Sequence, residues 1–171
     1  MAPKLDKITE NVVKLLAERN MTVATAESCT GGLISERITS VSGASSVFGF
    51  GVCSYANEAK MKLLGVRAET LDNFGAVSEE TAAEMAEGVR RLSGADFGIS
   101  VSGIAGPTGG TPDKPVGTVC IGISSKEETK AVRYFFEGKE FPEIGNKREA
   151  IRYETAYTAL SMIYDKLKER S

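Results

Sequence analysis

Residues 22–38 read TVATAESCTGGLISERI, and this stretch decides the fold. Thr22 to Ala26 is short, β-branched and apolar, the composition of a strand. Ser28-Cys29-Thr30-Gly31-Gly32 interrupts it, and Leu33 to Ile38 resumes at helical spacing. Such a junction exposes side chains at the carboxyl edge of a sheet, beside the unpaired N–H groups of a first helical turn.

Outward from that unit the same alternation continues. Upstream, Leu5, Ile8, Val12, Leu15 and Leu16 recur at helical spacing and predict a helix over about residues 4–19. Downstream, Phe48 to Tyr55 reads as a strand and Glu58 to Leu64 as a short helix. Ser78 caps a longer helix to about Leu92, with Glu79 and Glu80 at its positive end. Phe97 to Ser102 is a third strand, followed by the Gly/Pro-rich loop Gly103 to Pro115. Gly117 to Ser124 and Thr129 to Phe136 form a hairpin. A last helix runs from about Lys147 to Glu169 with Asn146 as its cap and Ile151, Leu160, Ile163 and Leu167 on its apolar stripe. The order α-β-α-β-α-α-β-β-β-α predicts a three-layer α/β/α single domain over residues 1–171, with a mixed, mostly parallel sheet of about five strands.

Composition narrows the function. A net charge of −2 gives no electrostatic reason to expect nucleic acid or an anionic membrane as partner. No apolar run is long enough to span a bilayer, and charges break up any N-terminal leader, so the expected location is cytoplasmic. The three cysteines, Cys29, Cys53 and Cys120, lie in apolar segments and read as buried thiols in a reducing compartment. There is no histidine. That excludes Ser–His–Asp and Cys–His catalysis and histidine-ligated metals, so no metal or cofactor is expected. A hydrolase built from this chain needs Lys, Tyr, Asp or Glu as its base.

Four segments carry candidate chemistry. Ser28 is either a helix cap or a nucleophile, with Thr30, Gly31 and Gly32 offering N–H groups to an anion or oxyanion. Cys29 is a rival nucleophile that no histidine can activate. In Tyr55-Ala56-Asn57-Glu58-Ala59-Lys60, a desolvated Lys60 would serve as base with Tyr55 as relay, while a solvated lysine like Lys62 is the alternative. Ser102-Gly103-Ile104-Ala105-Gly106-Pro107 is an anion nest or a set of tight turns. Arg148 and Arg152 share one helix face and suit either a phosphate or nearby carboxylates.

AESCTGG (residues 26–32), YANEAK with LLGV (55–66), FGAVSEE (74–80), SGIAGPTGGTPDKPVGTV (102–119) and KREAIR (147–152) together resemble the CinA C-terminal domain family. The resemblance implies nicotinamide-nucleotide amidase activity, in which nicotinamide mononucleotide and water give nicotinate mononucleotide and ammonia. It places nucleophile, base and assisting tyrosine on Ser28, Lys60 and Tyr55. The substrate-binding set is then Thr30, Gly31, Gly32, Ser102, Gly103, Ala105, Gly106, Arg148 and Arg152. Where the family often has Gly-Asp-Arg, this chain has Gly145-Asn146-Lys147-Arg148, a one-residue insertion with Arg148 retained. Full-length relatives carry a further N-terminal domain whose nucleotide-hydrolysing activity is not expected here. The partners expected are a small mononucleotide substrate and a second copy of the chain in a homodimer. The rival class is a non-catalytic nucleotide-sensing or oligomerisation domain.

Overall fold

The computed structural model describes residues 2–169; Met1, Arg170 and Ser171, the ends of the expected 1–171 unit, lie outside the described residues. In chain order the elements are α1 (Pro3–Glu18), β1 (Val23–Glu27), α2 (Leu33–Thr39), a 3₁₀ turn (Ala44–Ser46), β2 (Phe48–Cys53), α3 (Asn57–Leu64), α4 (Ala68–Phe74), α5 (Glu79–Ser93), β3 (Phe97–Gly103), β4 (Thr118–Ser124), β5 (Thr129–Phe135) and α6 (Lys147–Glu169).

The five strands form one mixed sheet in the order β2-β1-β3-β4-β5. β1 runs parallel to β2 and β3, β4 is antiparallel to β3, and β5 is antiparallel to β4. Four of the five strands therefore point one way, and only β4 is reversed.

Alternation along the strands builds the three layers. Val23, Phe97, Ile99, Val101, Val119, Ile121 and Ile123 face the layer of α1, α2 and α6 and join its core. The intervening Ala24 and Ala26 face the other way and pack with Leu64, Met85 and Val89. Close approach sets this second layer. A Cβ on Gly98 would lie 2.2 Å from the Ala86 carbonyl oxygen, and one on Gly122 would lie 2.6 Å from that of Ala82. The stripe foreseen on α6 is buried throughout: Ile151, Leu160, Ile163 and Leu167 are all fully enclosed.

Two features depart from the sequence reading. α4 was not expected, because AETLDNF buries only Thr70 and shows no apolar periodicity. Cys53 is exposed, whereas Cys29 and Cys120 are buried. Cys53 is the last residue of β2, an edge strand, and is left open to solvent there although a Cβ on Gly32 would lie 3.3 Å from its sulfur. Among the described residues no helix is long and apolar enough to cross a membrane.

Candidate active site

Strand register brings the chemistry together. Glu27, the last residue of β1, pairs with Cys53 of β2 and Val101 of β3, so three parallel strands end at one edge. The residues that follow them, Ser28, Ser54-Tyr55 and Ser102-Gly103, converge there. A bond from Ser28 N–H to the Val101 carbonyl (3.0 Å) and one from Ser54 N–H to the Glu27 carbonyl (2.8 Å) tie the edge together.

The turn after β1 is organised by Glu27, whose side chain is fully buried. One carboxylate oxygen accepts from the Thr30 hydroxyl (2.6 Å) and from the N–H groups of Gly32 (3.1 Å) and Ile34 (3.0 Å). The other accepts from Ser35 N–H (2.8 Å) and its hydroxyl (2.7 Å). A carboxylate from the chain itself thus takes the donors that the sequence reading offered to a ligand. Gly31 N–H is taken by the Ser28 carbonyl at 3.0 Å. Thr30, Gly31 and Gly32 lie outside the lining of the cavity described below, which Ser28 and Cys29 join. The N–H groups of Cys29 and Thr30 donate to no backbone or side-chain oxygen among the described residues.

Lys60 is among the largest fully buried side chains of the described residues, 1% exposed, and its Nζ lies 3.1 Å from Ser28 Oγ. It reaches the Ser54 carbonyl at 2.8 Å and the Tyr55 carbonyl at 3.3 Å. No carboxylate among the described residues forms an ion pair with it, and desolvation holds its pKa below the ordinary lysine value of 10.5. A neutral amine has two N–H bonds and one lone pair. With the two carbonyls taking the hydrogens, the lone pair is left for the Ser28 hydroxyl. Lys62, two residues on, is exposed. The neighbouring Cys29 thiol is buried, and desolvation reinforced by Glu27 pushes its pKa up to about 12. That removes it as a rival nucleophile.

Ser28 and Lys60 open into a cavity of about 330 Å³, the size of a small-molecule site. Ser102, Gly103, Ala105 and Gly106 form one wall, and Tyr55 and Arg148 stand at its rim. Ser102 Oγ donates to the Ala76 carbonyl at 2.7 Å, so it holds the wall to the loop before α5. Gly106, at φ +77°, also has no room for a Cβ, which would meet Val116 at 2.4 Å. The lining adds Asn57, Thr108 and Gly109, which the sequence reading did not assign to the site. Asn57 was legible in principle, since it sits between Tyr55 and Lys60 in one block.

The two arginines separate. Asn146 caps α6 by accepting from Glu149 N–H at 3.3 Å, which starts the helix beside the cavity. Arg148 reaches the cavity, donating to the Gly106 carbonyl (2.6 Å) and the Tyr55 hydroxyl (3.2 Å). Arg152, one turn further, donates to the carbonyls of Cys29 (3.2 Å) and Thr30 (2.8 Å) and does not line the cavity. Tyr55 is 64% exposed and its hydroxyl bonds neither Ser28 nor Lys60 among the described residues; its backbone carbonyl is what holds the lysine. Among the described residues no group of three or more Cys, Asp or Glu is placed to hold a metal ion.

Known proteins resemble this chain in sequence and fold. The family model for the CinA C-terminal domain matches residues 5–167. A protein of Thermoanaerobacter sp. (strain X514) named as competence-damage inducible is 52% identical over 158 residues, covering 92% of this chain and 36% of its own length. A CinA-like protein of Chlorobaculum tepidum is 51% identical over 163 residues, covering 95% and 38%. The chain thus spans little more than a third of the curated relatives it matches. The crystal structure of a CinA superfamily protein from Klebsiella pneumoniae 700603 superposes with a TM-score of 0.88 at 33% identity, covering 96% of this chain and 98% of that one.

Proposed function

The chain belongs to the CinA C-terminal domain family, and from that premise we propose that it is a serine–lysine amidase acting on nicotinamide mononucleotide. The observation that carries this reading is the buried, desolvated Lys60 Nζ at 3.1 Å from Ser28 Oγ, with no carboxylate to keep it charged. A binding module has no use for an unpaired lysine in its interior, where desolvation is costly.

The reaction runs in two halves. Ser28 Oγ attacks the carboxamide carbon as its proton passes to Lys60 Nζ. The N–H group of Cys29, a residue of the cavity lining, stabilises the oxyanion of the tetrahedral intermediate, because Thr30 is fully enclosed and the other donors of this turn are committed to Glu27 and Ser28. The C–N bond breaks, the leaving nitrogen takes the proton from the Lys60 ammonium, and ammonia departs from a nicotinoyl ester on Ser28. Water then attacks the ester with neutral Lys60 again as base, and Ser28 leaves with the returning proton.

Arg148 at the rim supplies the cation for the substrate phosphate, assisted by the loop from Ala105 to Gly109. Tyr55 is held by Arg148 at the mouth, so its phenol meets the bound nucleotide before it meets the lysine. All three cysteines are free thiols, which supports a reducing, cytoplasmic setting.

Intact-mass spectrometry during turnover tests the scheme. An adduct of nicotinate mononucleotide on Ser28 that hydroxylamine converts to a hydroxamate is expected. Turnover with no serine adduct, or normal turnover by Ser28→Ala, would contradict it.

A further inference from the structure

Arg152 occupies a place that substrate binding does not explain. It is half-buried on α6, outside the cavity lining, and pairs with no carboxylate among the described residues. Its Nε and Nη2 donate instead to two consecutive carbonyls, Cys29 at 3.2 Å and Thr30 at 2.8 Å, directly after the nucleophile. The guanidinium packs on the turn itself, since a Cβ on Gly31 would lie 3.7 Å from Nη2. From the opposite side, Glu27 grips the same turn through the Thr30 hydroxyl and Gly32 N–H. The segment is held between a cation on its carbonyls and an anion on its donors.

A peptide unit is planar, so holding its carbonyl fixes the whole plane. With the Cys29 carbonyl held by α6, the Cys29–Thr30 peptide is fixed, and with it the Cys29 backbone beside Ser28 in the cavity lining. We infer that Arg152 is a positioning residue that anchors the turn after Ser28 through the Cys29 and Thr30 carbonyls, so that Ser28 Oγ and Cys29 N–H, whose residues line the cavity, keep their place for the oxyanion formed at Ser28. A planar guanidinium fork suits this because it engages both carbonyls at once, which a lysine ammonium on a flexible stem does less rigidly. This inference rests on the amidase reading above.

The test uses Arg152→Met and Arg152→Lys in the full chain, with two readouts. The first is ammonia release from nicotinamide mononucleotide and from its dephosphorylated nucleoside. The second is the rate at which phenylmethylsulfonyl fluoride labels Ser28, followed by intact mass. In that labelling Ser28 Oγ bonds to sulfur, Lys60 takes the proton and fluoride leaves, so it reports the nucleophile and its oxyanion donors without the nucleotide.

Removing one oxyanion donor costs about 100- to 1,000-fold, and loosening one costs less. Arg152→Met is therefore expected to lower kcat about 10- to 100-fold with KM changed less than about twofold, and to slow labelling in parallel. Arg152→Lys, which keeps the charge and guards against a variant that fails to fold, should fall between Met and wild type. A raised KM with unchanged kcat and a lost preference for the phosphorylated substrate would make Arg152 a phosphate ligand and overturn the inference. A lowered Tm with unchanged kcat and labelling would make it structural only, and would equally overturn it. If wild type is labelled but releases no ammonia, the substrate reading fails while slower labelling of Arg152→Met still upholds the positioning role. A wild type inert to both reagents overturns both.

Discussion

At the scale of single residues, burial of charge governs the site. Lys60 is enclosed without a carboxylate, so its neutral form is favoured and its folded pKa lies below 10.5. As the base it must be neutral, so kcat/KM should rise with pH along a limb whose midpoint lies below that value, read from a pH–rate profile. Stability follows the same linkage. Between the lowered folded pKa and the unfolded value the unfolded chain binds more protons, so stability rises with pH through that window. The stability of wild type relative to Lys60→Met, which lacks the ionising group, should climb across it in urea titrations. A difference that stays flat with pH would contradict the lowered pKa. Glu27 gives a second prediction. Five donors converge on its carboxylate, and an amide NH₂ would face some of them donor to donor. Glu27→Gln should lose about 2–6 kcal/mol of stability, two unmet buried groups at about 1–3 kcal/mol each, together with most of its activity. Of these residues, Ser28, Lys60 and Tyr55 entered as candidates through their place at strand ends and the absence of histidine, and the family resemblance, not their spacing, gave them roles. The use of Glu27 was not, because no spacing shows that a side chain folds back onto the turn that follows it.

At the scale of elements, what was legible is what periodicity records. The strands at residues 23–27 and 97–103 and the helices at 79–93 and 147–169 follow their apolar spacing to within a residue or two. α4 escaped because its stability comes from tertiary contacts at Arg67, Thr70 and Leu71 rather than from an apolar face of its own. Glu84 of α5 accepts from Arg67 N–H at 2.8 Å and from the Thr70 hydroxyl at 2.7 Å, which fastens α4 from outside. The separation of Arg148 from Arg152 was equally hidden: both lie on one helix face, and only the depth at which α6 meets the sheet edge tells them apart. α3 carries Lys60, the proposed base, and crosses α5 at Gly88, where a Cβ would lie 1.9 Å from the Leu64 carbonyl oxygen. Gly88→Ala forces the two helices apart and should cost about 1–3 kcal/mol. It should also lower kcat by displacing Lys60, although it lies on another helix from the nucleophile's base and outside the cavity lining. Calorimetry and steady-state rates check this, and an unchanged Tm would contradict the close crossing.

For the whole molecule, the sheet gathers three strand ends and α6 around one cavity, so substrate binding should stabilise the fold as a unit. Nicotinamide mononucleotide at a hundred times its Kd should add about 2.7 kcal/mol to Ser28→Ala, which cannot consume it. That corresponds to a rise of roughly 5–10 °C in Tm for a chain of this size. A shift as large with nicotinamide alone would contradict the role given to Arg148 and its loop. The central claim is the Ser28–Lys60 pair, and ammonia release from nicotinamide mononucleotide tests it most directly, measured in parallel for wild type, Ser28→Ala and Lys60→Met. Release by wild type that is abolished in both folded variants is the predicted result. A folded wild type that releases none, or a Lys60→Met variant that keeps pace with it, would contradict the account.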